Sequence, residues 1–120
     1  MKQLLLILFF AIGLQAFAQQ DAWVYFSDKP QTAFYLENPL EMLSQKALDR
    51  RAAQGIALDD KDVPVHEPYI QQVDGAPGIT VMAKSKWLNA LHVRGSAEDI
   101  NALTTLSFVL SIDFADDSLD

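Results

Sequence analysis

A four-stranded antiparallel sheet with two helices on one face, in the chain order β-α-β-β-α-β, is predicted by three observations. The aromatic and β-branched run Ala22 to Phe26 and the alternating run Phe108 to Phe114 read as a first and a last strand. Between them, Ile79 to Ala83 and Trp87 to Val93 are strand-like runs separated only by Lys84-Ser85-Lys86, a gap of hairpin length. Capped segments of helical spacing, starting at Asn38 and Ser96, stand on either side of that hairpin. An α+β fold with the ferredoxin-like split βαβ order is the topology this arrangement selects.

Residues 1–18 stand outside that pattern. Lys2 is followed by the apolar run Leu4 to Leu14 and then by Ala16-Phe17-Ala18, a small-x-small ending, which is the pattern of a secretory signal peptide cleaved between Ala18 and Gln19. The run is eleven residues, whereas a membrane span needs about twenty, so no stable anchor is expected once the leader is removed. The chain is expected to be exported, periplasmic or extracellular. Residues 19–114 form the expected domain, and 115–120 an acidic tail or the start of a linker.

The first strand ends at Ser27-Asp28-Lys29-Pro30, where turn formers and a proline stop it. At Asn38-Pro39-Leu40-Glu41 an N-cap residue, a proline at the first helical position and a carboxylate three residues after the cap predict a helix running to Gly55. Leu40, Leu43, Ala47 and Leu48 would share one side, and Lys46, Arg50 and Arg51 would complement the dipole near its C-terminus. From Ile56 to Gly78 the chain turns acidic and rich in proline and glycine, an excursion with one short helix-like stretch at Pro68 to Val73. After the hairpin, Ser96 can cap a second helix, with Asp99 reaching back and Ile100, Leu103 and Leu106 at helical spacing. In the last strand Phe108, Leu110, Ile112 and Phe114 alternate with Val109, Ser111 and Asp113, the sign of burial on one side.

Helices on one side leave the other face of the sheet open, and its residues are not convincingly polar. Trp23 and Tyr25 point away from Val24 and Phe26, and Leu88 and Ala90 away from Trp87, Leu91 and Val93. Such a face suits docking on a partner. The alternative is that the Ile56 to Gly78 excursion covers Trp23 and Tyr25.

Composition narrows the chemistry. The 120 residues carry 9 basic and 16 acidic side chains, a formal charge of −7. Such a chain lacks the electrostatic footprint for nucleic acid. There is no cysteine, which removes disulfides, thiolate metal sites and thiol nucleophiles. The two histidines, His66 and His92, lie in no nucleophile motif, and no catalytic residue is assigned. Asp59, Asp60 and Asp62 lack the spacing, glycine and terminal glutamate of a calcium loop and read as a solvated acidic loop. Arg50-Arg51 reads as a solvent-facing complement to the helix dipole rather than a processing site. No metal or cofactor site is expected.

The stretches Asp21 to Phe26, Leu43 to Arg51, Asp62-Val63-Pro64-Val65 with Tyr69-Ile70, and Ser85 to Ala90, in that order, resemble the N-terminal propeptide of bacterial secreted subtilisin-like serine proteases. The resemblance extends through the closing segment Ile100 to Phe114. It implies an intramolecular chaperone and temporary inhibitor whose open sheet face packs on helices of the protease and whose C-terminal tail lies product-like in the cleft. Trp23, Tyr25, Leu88 and Ala90 are then the candidate protease contacts, and Ala115 to Asp120 lead toward the cleft. The family's catalytic aspartate, histidine and serine lie downstream of the propeptide, so this stretch is not itself an enzyme while the full precursor is a serine endopeptidase. The partner is a subtilisin-like catalytic domain, in cis if the chain is the front of a longer precursor and in trans if it stands alone. Asp116, Asp117 and Asp120 depart from the apolar tail that a subtilisin cleft accepts, so the family's tail contacts do not carry over. A free-standing secreted inhibitor, or a binding module unrelated to proteolysis, is the competing expectation.

Overall fold

The computed structural model describes residues 18–115, so all but Ala18 of the leader expected at residues 1–18, and all but Ala115 of the acidic tail expected at 115–120, lie outside the described residues. Four strands, β1 (Gln20–Phe26), β2 (Thr80–Ser85), β3 (Ala90–Gly95) and β4 (Val109–Phe114), form one antiparallel sheet. Their spatial order is β2-β3-β1-β4, the order a split βαβ arrangement requires. The helices are α1 (Thr32–Glu37), α2 (Gln45–Ala53), α3 (Glu67–Asp74) and α4 (Ala97–Ala102). Among the described residues no helix is long and apolar enough to cross a membrane.

Period-two alternation decides which side of the sheet is the core. Ala22, Val24 and Phe26 of β1 are buried while Asp21, Trp23 and Tyr25 between them are half-buried. Leu91 and Val93 of β3 join Val24 and Phe26, and Val73 of α3 with Ile100 and Leu103 of the α4 segment close the core over them. Tyr69 lies flat on Phe108, ring centroids 4.0 Å apart, and meets the edge of Phe26 at 5.4 Å. Both helices that build the core therefore sit on one face, as the sequence predicts.

Which helix fills the first crossover differs from expectation. The segment from Pro39 to Gly55 is not one helix: a 3₁₀ turn at Pro39–Glu41 is followed by a break, and α2 starts afresh after Ser44. The reason is local. Ser44 is extended and its hydroxyl accepts the N–H of Ala47 at 3.1 Å, a competing N-cap. Asn38 caps nothing ahead of it, and its Nδ2 donates back to the Phe34 carbonyl at 2.9 Å, closing α1. Neither α1 nor α2 buries a residue. The core position belongs to α3, inside the segment read as an excursion, through Val73, Tyr69 and Ile70.

Three further elements depart from the sequence reading. The hairpin turn is longer, Lys86–Asn89, so Trp87 and Leu88 lie in the turn rather than in β3. Asn89 adopts a left-handed backbone, φ 52°, and its Nδ2 donates to the carbonyls of Phe26 and Asp28. That clamp sets where β3 begins. In β4 an irregularity opposite Tyr25 and Phe26 puts Val109 across from Phe26 and leaves Leu110 68% exposed, which breaks the alternation predicted for Leu110. The acidic loop is not fully solvated: Asp62 is 3% exposed, pairs with Arg51 and accepts the Asp59 N–H. Arg51 is therefore a partner of that loop rather than a solvent-facing charge.

Candidate docking face

The face opposite the helices is assembled by strand register. Asp21, Trp23 and Tyr25 of β1 stand across from Arg94, His92 and Ala90 of β3, and Asp113 and Ser111 of β4 flank Trp23 and Tyr25 on the other side. The core helices lie on the opposite face, so α3, within the excursion, leaves Trp23 and Tyr25 uncovered.

At its centre the Trp23 and His92 rings lie 5.7 Å apart, tilted by 40°. His92 Nε2 is 2.8 Å from Asp21 Oδ1, and Arg94 Nε donates to the same oxygen at 3.0 Å. Hydrogen bonding to His92, and next to Arg94, holds the Asp21 carboxyl below its ordinary value of 3.8. The face is thus zoned: an ion-paired cluster at one end, and Tyr25 beside the small Ala90 at the other.

The structure brings together three of the four side chains that sequence reasoning selected. Trp23 and Tyr25 are half-buried neighbours on the face. Ala90 lies opposite Tyr25 but is 0% exposed, so it forms the floor of the face rather than a contact surface. Leu88 is 51% exposed at the hairpin tip, off the strand. Sequence reasoning passed over His92, Arg94 and Asp21 in this role. The signal was present as the period-two series Ala90, His92, Arg94, but their common partner Asp21 becomes visible only through the β1–β3 register.

Asp21, His92 and Arg94 satisfy one another across the β1–β3 pair, and among the described residues no group of three His, Cys, Asp or Glu side chains is placed to hold a metal ion. The family model described as the Peptidase S8 propeptide domain of Bacteroidota matches residues 21–120. The chain belongs to this family. It carries the propeptide of a subtilisin-like protease, a family that implies an S8 catalytic domain as partner. A propeptide domain is not itself catalytic. The match begins at Asp21 in β1 and includes both core helices and all of the sheet except Gln20. No curated protein and no solved structure matches this propeptide.

Proposed function

We propose that this propeptide acts as an intramolecular chaperone and temporary inhibitor of its S8 protease, through the sheet face that carries Trp23 and Tyr25. The observation that supports it most is the asymmetry of the sheet. One face is closed by Val73, Ile100 and Leu103, while the other keeps two aromatic side chains half-exposed beside a satisfied ion cluster. Large rigid aromatics next to satisfied polar groups are the composition of an interface core with its polar border. A surface that binds the native protease stabilises it by mass action and, where it also binds the folding transition state, speeds folding. One surface then serves both tasks.

The leader pattern at Lys2, Leu4 to Leu14 and Ala16-Phe17-Ala18 supports export ahead of cleavage between Ala18 and Gln19. At the other end Ala115 donates its N–H to the Asp21 carbonyl at 2.9 Å, which ties the end of the edge strand β4 to the start of β1.

The test is inhibition and assisted refolding of the cognate S8 catalytic domain by the chain and by Trp23→Asp. The variant is expected to inhibit at least about tenfold more weakly and to lower the refolding yield while its circular dichroism stays native. Equal inhibition and equal refolding by both proteins would exclude this face.

A further inference from the structure

We propose that the helical lobe between β1 and α3 carries a second docking surface for the same partner, a shallow groove that takes a segment of the S8 catalytic domain presenting an apolar side chain beside a lysine or arginine. This rests on the reading of the chain as a propeptide that binds its protease.

The lobe does not serve the core. α1, the 3₁₀ turn Pro39–Glu41 and α2 bury no residue, and none of their side chains packs into the core cluster. It is nonetheless anchored. Lys29 Nζ donates to the carbonyls of Asp60 at 2.6 Å and Lys86 at 2.7 Å, and Arg51 pairs with buried Asp62. A segment fixed at both ends that keeps Phe34 at 48% and Leu40 at 63% exposure offers apolar surface that its own fold leaves uncovered.

The chemistry of the groove narrows the occupant. A space of about 460 Å³ is lined by Pro39, Leu40 and Leu48 together with Glu37, Glu41 and Gln45. Two carboxylates beside an apolar lining favour a basic group next to an apolar one and disfavour an acidic segment. Position then selects the S8 domain. The lobe's root at Lys29 is bonded to the carbonyl of Lys86, and the next residues, Trp87 and Leu88, are 66% and 51% exposed. The turn they form leads to Ala90, opposite Tyr25 on the docking face. The hairpin tip, with Trp87 and Leu88 exposed, therefore stands between the root of the lobe and the sheet face. The lobe also lies within the matched residues 21–120, so it belongs to the unit that the family carries alongside its protease.

The experiment measures binding of the chain to the cognate S8 catalytic domain by calorimetry at two salt concentrations, with Leu40→Ser, Leu40→Met, the double variant Glu37→Gln/Glu41→Gln, and Trp23→Ala. Leu40→Ser is expected to bind about tenfold more weakly, Leu40→Met to bind as the parent does, and the double variant to bind more weakly with a shallower salt dependence. Parental binding by Leu40→Ser and by the double variant, with Trp23→Ala weakened, overturns the groove and leaves the sheet-face reading standing. Absence of binding by the parent chain overturns both. A parent that sediments as a dimer, and becomes monomeric on Leu40→Ser with protease binding unchanged, assigns the groove to a second copy and also overturns the proposal.

Discussion

Arg51, in the last turn of α2, forms an ion pair with Asp62, whose carboxylate is almost wholly shielded from solvent. The pair ties the end of the lobe to the point where Val63 and Val65 turn inward and are buried. Replacing Arg51 by Met leaves a buried carboxylate with only the Asp59 N–H as a partner. Removing one member of a buried pair costs about 3–5 kcal/mol. Because the Arg51 side chain is 24% exposed, a loss of about 2 kcal/mol is expected in urea unfolding. Arg50→Met, one residue earlier and exposed, is expected to change stability by less than about 0.5 kcal/mol.

The same pair predicts a pH dependence. Burial pushes the Asp62 carboxyl up, but the Arg51 guanidinium and the Asp59 N–H outweigh it and leave it below its ordinary value of 3.8. A carboxyl held lower in the folded state contributes stability that is present above its unfolded value, about 3.9, and is lost as pH falls through the folded value. Stability measured between about pH 6 and pH 2.5 should therefore fall more steeply for the parent than for Asp62→Asn below about pH 4. Parallel curves would show that Asp62 is not held ionised by its partners.

Asn89 does two jobs, and two substitutions separate them. It holds a left-handed backbone, φ 52°, and its Nδ2 ties the end of β1 through the Phe26 and Asp28 carbonyls at 3.2 and 2.9 Å. Asn89→Ala loses both bonds and keeps the unfavourable backbone, at a cost of about 2–3 kcal/mol. Asn89→Gly relieves the backbone and loses only the bonds, at a cost of about 1 kcal/mol. Thermal or urea unfolding of the two variants orders them, and equal losses would mean that the backbone conformation carries no cost there.

Gly78 and Gly55 both have positive φ, 73° and 69°, but their surroundings differ. A Cβ at Gly55 meets nothing within 4 Å, whereas one at Gly78 would stand 2.1 Å from Asp99 Oδ2 and 2.8 Å from its Cγ. Gly55→Ala is expected to cost about 1 kcal/mol from the backbone alone. Gly78→Ala is expected to cost about 2 kcal/mol more, and to recover part of that in an Asp99→Ala background. Strict additivity in that double-mutant cycle would exclude the contact as the cause.

Much of the sheet was legible because its signals are local. Ala22, Val24 and Phe26 alternate with Trp23 and Tyr25 in the sequence and do so in β1. Ser96 was readable as a cap, and its Oγ accepts the Asp99 N–H at 3.1 Å. Asp99 itself lies against Gly78 across the fold, a proximity that no capping pattern encodes. The longest helix signal, Pro39 to Gly55, was misleading as to role: its caps and dipole charges favour helix, but its leucines meet no core. Of the candidate docking face, Trp23 and Tyr25 were readable from alternation. The Asp21, His92 and Arg94 cluster was not, because it joins residues from two strands distant in the chain.

By itself the sequence determined the order of strands and core helices, the face each side chain takes along β1, and the family resemblance, since periods of two and caps are set by neighbouring residues. Only the tertiary structure decided that α3 rather than the segment from Pro39 to Gly55 fills the first crossover, that Leu88 stands at a hairpin tip, and that Asp62 is buried. Burial is a property of what arrives from elsewhere in the chain. Val73 reaches the space between Val24, Leu91 and Ile100 through the register of the whole sheet, and no pattern within α3 carries that information.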